Sequence, residues 1–188
     1  MKFKLIAGCF LLAQVVLGSG CIALTRLTAA PTVDGLGNLG ADVRLSFTPA
    51  AIGLVPAKVE GWLGVDFGVG GGYWGTERIG AAQLRITPEL AVPAKPGFVR
   101  MGIGYSGRYS GQVSCSVTTR AAAQLNGLIA YVALDVPLLY REQSSGPLRA
   151  IYLGPELTGE TLFTAGPCVI PNRGVFSLGL SLAVLLQL

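Results

Sequence analysis

Phe176-Ser-Leu-Gly-Leu-Ser-Leu-Ala-Val-Leu-Leu-Gln-Leu188 decides the fold. Phe176, Leu178, Leu180, Leu182, Val184, Leu186 and Leu188 occupy every second position, against Ser177, Gly179, Ser181, Ala183 and Gln187. A period of two is the signature of a strand with two different faces. The same pattern recurs toward the amino terminus. In 41–49, Val43, Leu45 and Phe47 oppose Asp42, Arg44, Ser46 and Thr48. In 58–70, Val59, Leu63, Val65, Phe67 and Val69 oppose Lys58, Glu60, Trp62, Gly64, Asp66 and Gly68. In 82–92, Leu84, Ile86 and Leu90 oppose Gln83, Arg85, Thr87 and Glu89. In 98–110, Val99, Met101, Ile103 and Tyr105 oppose Arg100, Gly102, Gly104, Ser106 and Arg108. Leu128 to Leu138 puts leucines, valines and Ala130 on even positions and Asp135 on the other face. In 148–163, Ile151, Leu153 and Leu157 oppose Tyr152, Gly154, Glu156, Thr158 and Glu160. Ala23 to Ala29 is a weaker candidate first strand, and counting it gives eight. A barrel with both chain ends on one side needs an even number.

Composition agrees with strands. The chain has 188 residues, 51% of them hydrophobic, 27 glycines and a mean hydropathy of +0.58. Past the amino terminus no apolar run reaches the roughly 18 residues of a membrane helix. Glycine at this density weakens helices. The net charge of +4 is scattered, without a basic stripe interleaved with aromatics, which argues against a nucleic-acid partner. Histidine is absent, which removes the usual general base, the Ser-His and Cys-His nucleophile pairs and most zinc sites. The expectation is no enzyme, no cofactor and no metal.

Residues 1–21 read as a secretory signal, with Lys2 and Lys4 before the apolar stretch Leu5–Leu17 and the small residues Gly18-Ser19-Gly20. Leu17-Gly18-Ser19-Gly20-Cys21 resembles a lipobox, making Cys21 a lipidation candidate. Gly18 departs from the branched residue usual at its place, and an ordinary cut near Ala23 is the alternative. Residues 22–188 would then form the mature domain.

On this phasing Asp42, Glu60, Asp66, Glu89, Asp135, Glu156 and Glu160 share a face with Arg44, Lys58, Arg85, Arg100 and Arg108. A soluble barrel or sandwich would hide the apolar face and wet the charges. A membrane barrel does the reverse. Three features favour the reverse. Small residues are mixed with the charges, as a narrow lumen requires. The last apolar ladder is long, and closure against the first strand removes its edge. Long links (30–39, 71–80, 111–121, 164–174) alternate with shorter ones (50–57, 93–96, 141–147), as outer loops alternate with periplasmic turns. The expected fold is therefore all-β: a closed, up-and-down antiparallel transmembrane barrel of about eight strands, in the outer membrane of a Gram-negative bacterium. Its first partner is outer-membrane lipid. Tyr73, Trp74, Tyr105, Tyr109 and Phe176 would gather at the outer interface and Tyr140 at the inner one.

Cys9 lies in the signal and Cys21 at its end, leaving Cys115 and Cys168. Both fall in links on the same side, and export permits a disulfide. A Cys115–Cys168 staple is expected, with free thiols or pairing with Cys21 as the alternatives.

Tyr131-Val-Ala-Leu-Asp-Val-Pro-Leu-Leu-Tyr140 followed by Ala150-Ile-Tyr-Leu-Gly-Pro-Glu-Leu157 resembles a signature of the bacterial outer-membrane β-barrel domain family, the PorT-type and related small barrels. Gly174–Leu188 is similar to that family's closing strand, and the resemblance spans about residues 36–188. It implies an outer-membrane barrel and no single activity. Leu188 departs from the aromatic residue that often ends such barrels.

Four roles are open to such a chain. It could be a structural or anchoring barrel whose outer loops, including Tyr73-Trp-Gly-Thr-Glu-Arg78, bind an envelope protein or surface polymer. It could be a narrow conduit for small apolar molecules, with Gly64, Gly68, Gly102, Gly104 and Gly179 leaving room. It could be an enzyme using Glu60, Asp66, Glu89 or Asp135 for acid–base work, although pairing with Arg44, Arg85, Arg100 and Arg108 explains these better. It could be a soluble lipocalin-like barrel tethered through Cys21. The first is the preferred reading.

Overall fold

A computed structural model describes residues 22–35, 37–49, 62–74, 79–116, 119–140, 148–165 and 173–187. The proposed signal, Cys21, Lys58, Glu60 and Cys168 lie outside the described residues. The described chain forms eight strands: β1 (Ile22–Asp34), β2 (Leu39–Pro49), β3 (Trp62–Trp74), β4 (Ile79–Ala94), β5 (Gly97–Ser116), β6 (Thr119–Tyr140), β7 (Leu148–Ala165) and β8 (Arg173–Gln187). Each pairs antiparallel with the next, and β8 pairs with β1, closing the barrel.

The register fixes the barrel's shape. Outward residues run from Thr25 through Phe47, Phe67, Ile86, Tyr105, Leu128 and Thr161 to Gly174. The Gly174 carbonyl accepts a 2.6 Å hydrogen bond from the Gly35 amide, back on the β1 side. One circuit from position 25 to position 35 thus climbs 35 − 25 = 10 residues. Eight strands with this stagger tilt by roughly 40° from the barrel axis. Each step round the wall raises the ladder by about 1.25 residues, so every position has a height along the axis.

On that scale the outward face of β8 from Phe176 to Leu186 covers about 24 Å, close to the apolar band of an outer-membrane barrel. Phe176, Leu128 and Leu178 are 60%, 60% and 61% exposed, whereas Arg100 and Glu89 are both 0% exposed. A folded chain in water would be penalised on both faces. In hydrocarbon the same arrangement is stable, because closure gives every backbone group in the wall a partner strand.

The strands are longer than the alternation alone indicated. The link read as 30–39 shrinks, because β1 runs to Asp34 and β2 begins at Leu39. The Gly37 amide donates to the Asp34 carbonyl at 2.9 Å, and Gly37 takes a φ of +83°, which glycine adopts without strain. The link read as 111–121 is strand up to Ser116 and from Thr119, so Cys115 is a β5 position. These two segments carry Thr, Ala, Ser and Gly in place of an apolar ladder. Periodicity therefore had nothing to register, although the backbone ladder continues.

Candidate functional site: the ion-paired lumen

The inward positions of all eight strands converge on a narrow interior. Arg44, Asp66, Arg85, Glu89, Arg100, Arg108, Asp135 and Glu156 all face it and are buried. So are Asp42 and Glu160. The larger group lies around the barrel's mid-height. Arg26 Nη1 donates to Asp66 Oδ1 at 2.9 Å and its Nη2 to Glu89 Oε1 at 2.7 Å. Arg100 grips Asp135 with two hydrogen bonds, Nε to Oδ2 at 2.5 Å and Nη2 to Oδ1 at 3.1 Å. Its Nη1 reaches Glu89 Oε2 at 3.2 Å. Glu156 Oε1 accepts from Arg44 at 2.6 Å and from Arg85 at 3.3 Å. Arg85 Nε also lies 3.6 Å from Asp66 Oδ2, which links these pairs into one web.

A smaller group sits farther from the chain termini. Arg108 bridges Asp42 at 2.8 Å and Glu160 at 2.5 Å, and Ser106 donates to Glu160. Each arginine presents a planar fork, which suits shared carboxylates better than a lysine ammonium would. Such pairs offset the desolvation of their own charges and add little stability beyond that. Removing one partner is what carries the large penalty.

Apolar residues adjoin the charges toward both ends. Toward the termini, Leu24, Ala91, Phe98, Ala150, Tyr152, Ala183 and Leu185 form one buried cluster, with Phe98 and Tyr152 edge to face at 6.0 Å. At the opposite end Leu125, Leu162 and Val175 pack together with Ala81. The lumen is therefore apolar at the end near the termini and ionic through its middle, while at the far end Leu125 stands opposite Arg108 and Val175 between Glu160 and the buried Asp34. The sequence reading treated its face as polar throughout.

Two members of the web had no clear signal in the sequence. Arg26 sits on β1, where Leu24 and Ala30 point inward and Thr25 points out, so the apolar contrast is blurred. Tyr131 sits on β6 between inward Ile129 and Ala133, and that stretch is apolar on both faces. Its hydroxyl donates to Glu89, and its ring lies under Arg85, with Cζ 4.0 Å from the centroid. Room for that ring comes from β5. A Cβ on Gly102 would stand 2.5 Å from Tyr131 Cε1 and 2.8 Å from the Pro88 carbonyl oxygen. This glycine relieves crowding rather than opening a passage.

On the outside, Tyr73 and Tyr109 are exposed and stand at about the height of Val33, near the end opposite the termini. Phe163 joins them there, and Trp74 ends β3 just above. Tyr105 is rooted about four residues lower, inside the apolar band. Its hydroxyl reaches up to Asn126 Oδ1 at 2.5 Å, and Gln124 donates to the same oxygen at 3.1 Å. Tyr140 is exposed at the other end.

A closed eight-stranded wall, greasy outside and ion-paired inside, defines a small membrane β-barrel of the outer-membrane kind. Among solved structures the chain is similar to Neisserial surface protein A, with a TM-score of 0.50 and 13% identity over 90% of this chain and 98% of that one. It is also similar to the outer membrane enzyme PagL, with a TM-score of 0.47 and 17% identity over 85% of this chain and 98% of that one. At such identities the likeness concerns the fold alone. No family model matches the sequence, and no curated protein matches it.

Proposed function

We propose that this protein is a non-enzymatic barrel of the Gram-negative outer membrane, reached by secretion, with a structural, anchoring or loop-mediated binding role. The observation that carries the reading is the filled lumen. Its arginines and carboxylates are turned on one another, and Phe98, Tyr152 and Leu185 crowd the end near the termini. Little of that interior is arranged to meet a substrate. The binding role falls to the end opposite the termini, which faces outward if the termini lie in the periplasm. The narrower PorT-type relation is part of the proposal. Its two signature segments lie side by side here, with Val136 opposite Leu153 and Pro137 opposite Tyr152. A Cys115–Cys168 disulfide is likewise proposed, and mass spectrometry of unreduced peptides tests it.

The decisive experiment has two arms. The protein refolded in detergent should migrate differently on gels before and after boiling, as closed barrels do. In planar bilayers it should show no discrete openings. An absent mobility shift would contradict the membrane barrel, and regular openings would favour a conduit.

A further inference from the structure

Two primary amides stand on the outward face of β6, just past the apolar band. Exposed Leu128 belongs to the band, and the next outward positions toward the far end are half-buried Asn126 and exposed Gln124. Asn126 is rooted about 4 Å farther along the axis than Phe176, which ends the apolar ladder of β8. That is the depth at which acyl chains join their headgroups.

The wall is shaped to hold these amides. Tyr105 lies along β5, its hydroxyl donating to Asn126 Oδ1 at 2.5 Å, and Gln124 Nε2 donates to the same oxygen at 3.1 Å. Gly107, paired with Asn126, leaves room for this, since a Cβ there would stand 2.7 Å from the Tyr105 hydroxyl. A primary amide has both N–H donors and a carbonyl acceptor. With Asn126 Oδ1 taken by two donors, Asn126 Nδ2 is left to donate and Gln124 Oε1 to accept. Two exposed rings flank the pair in register, Tyr109 opposite Gln124 and Phe163 opposite Asn126. Nearer the termini, Ile86 and Leu128 lie on either side of Tyr105 and continue into the band that meets acyl chains.

An ester linkage brings a carbonyl alone and would leave the Gln124 acceptor without a donor. A secondary amide brings a carbonyl and an N–H together, matching Asn126 Nδ2 and Gln124 Oε1. Aromatic faces beside neutral polar groups suit a sugar next to that linkage. We propose that Asn126 and Gln124, braced by Tyr105, dock the amide linkage of an N-acylated saccharide lipid, whose acyl chain runs along the wall past Leu128. The proposal rests on the membrane-barrel reading and names a lipid that the wall selects.

The test uses the full protein in mixed micelles, with native mass spectrometry reading which lipid stays bound on release. Three uncharged probes of equal chain length compete: an N-acylated glucosamine lipid, its O-ester isostere, and an N-acyl lipid without sugar. The first should be retained about tenfold over the ester, the difference that one hydrogen bond makes, and several-fold over the sugar-free amide. Asn126→Leu and Gln124→Leu, both apolar on a lipid-facing wall, should each bring amide and ester to equal retention while heat-dependent gel mobility stays unchanged. Tyr105→Phe, which removes the brace, should lower the preference part of the way. Equal retention of amide and ester by the wild type, or an undiminished preference in both leucine variants, would overturn the proposal. Equal retention of the sugar-free amide would overturn its saccharide part. A lipid-free dimer that the leucine variants dissolve would put a second copy at this face and overturn it as well. A wild type without the heat-dependent shift would instead contradict the membrane barrel itself.

Discussion

The two faces of β4 share one backbone and have opposite surroundings. Arg85, Thr87 and Glu89 point into the lumen and are almost wholly buried, while Leu84, Ile86 and Leu90 between and beside them point out and are exposed. Adjacent positions are only about 3.3 Å apart along the strand. Burial therefore says nothing here about hydrophobicity. What distinguishes the faces is the solvent each requires: acyl chains on one side, partner charges on the other.

Breaking the inner face should have the largest effect. Arg100→Ala strips Asp135 of both its hydrogen bonds from Arg100 and Glu89 of one, leaving buried carboxylates under-compensated. Urea titration in micelles should show a loss of about 3–5 kcal/mol. Adding Asp135→Leu should recover part of it.

The outer face is tested with a charge of the kind the lumen tolerates. Leu180 lies near mid-height on β8 and is exposed. Leu180→Arg should destabilise the inserted barrel by about 2–4 kcal/mol, an effect largest at the bilayer midplane. Wild-type stability for this variant would mean that the outer face is wet.

Smaller changes sharpen the account of packing. Gly102→Ala drives a methyl against Tyr131 and the Pro88 carbonyl, and should cost about 1–3 kcal/mol in the same titration. Tyr131→Phe keeps the ring under Arg85 but removes the hydroxyl's bond to Glu89. The expected loss is about 1.5–3 kcal/mol at most, as for a hydrogen bond to a charged group.

The fold was legible wherever the two faces differed in chemistry. β8, with leucines against Ser and Gly, and β4, with Arg85 and Glu89 against Ile86 and Leu90, could be phased residue by residue. Closure followed, since such strands need a partner on both edges. Legibility failed where one face lost its contrast. Arg26 stands among Leu24, Thr28 and Ala30, and Tyr131 between Ile129 and Ala133, so neither segment announced which side was inward. The pairing of particular arginines with particular carboxylates was also invisible. It depends on a ten-residue stagger that brings Arg26 to Asp66 and Glu89, and Arg44 across to Glu156. The parts of β1, β5 and β6 farthest from the termini were hidden for another reason. Above the acyl layer a strand needs no apolar face, and its backbone ladder leaves no mark in composition.

The most direct test places a nitroxide label at position 180 or 106 of a cysteine-free variant in lipid bilayers and measures its collisions with oxygen and with a water-soluble nickel chelate. The label on Leu180→Cys should meet oxygen freely and nickel scarcely, while that on Ser106→Cys should be shielded from both. A label at 180 that collides with nickel as in water, or that is sheltered from oxygen in a dry interior, would contradict the inversion on which everything above depends.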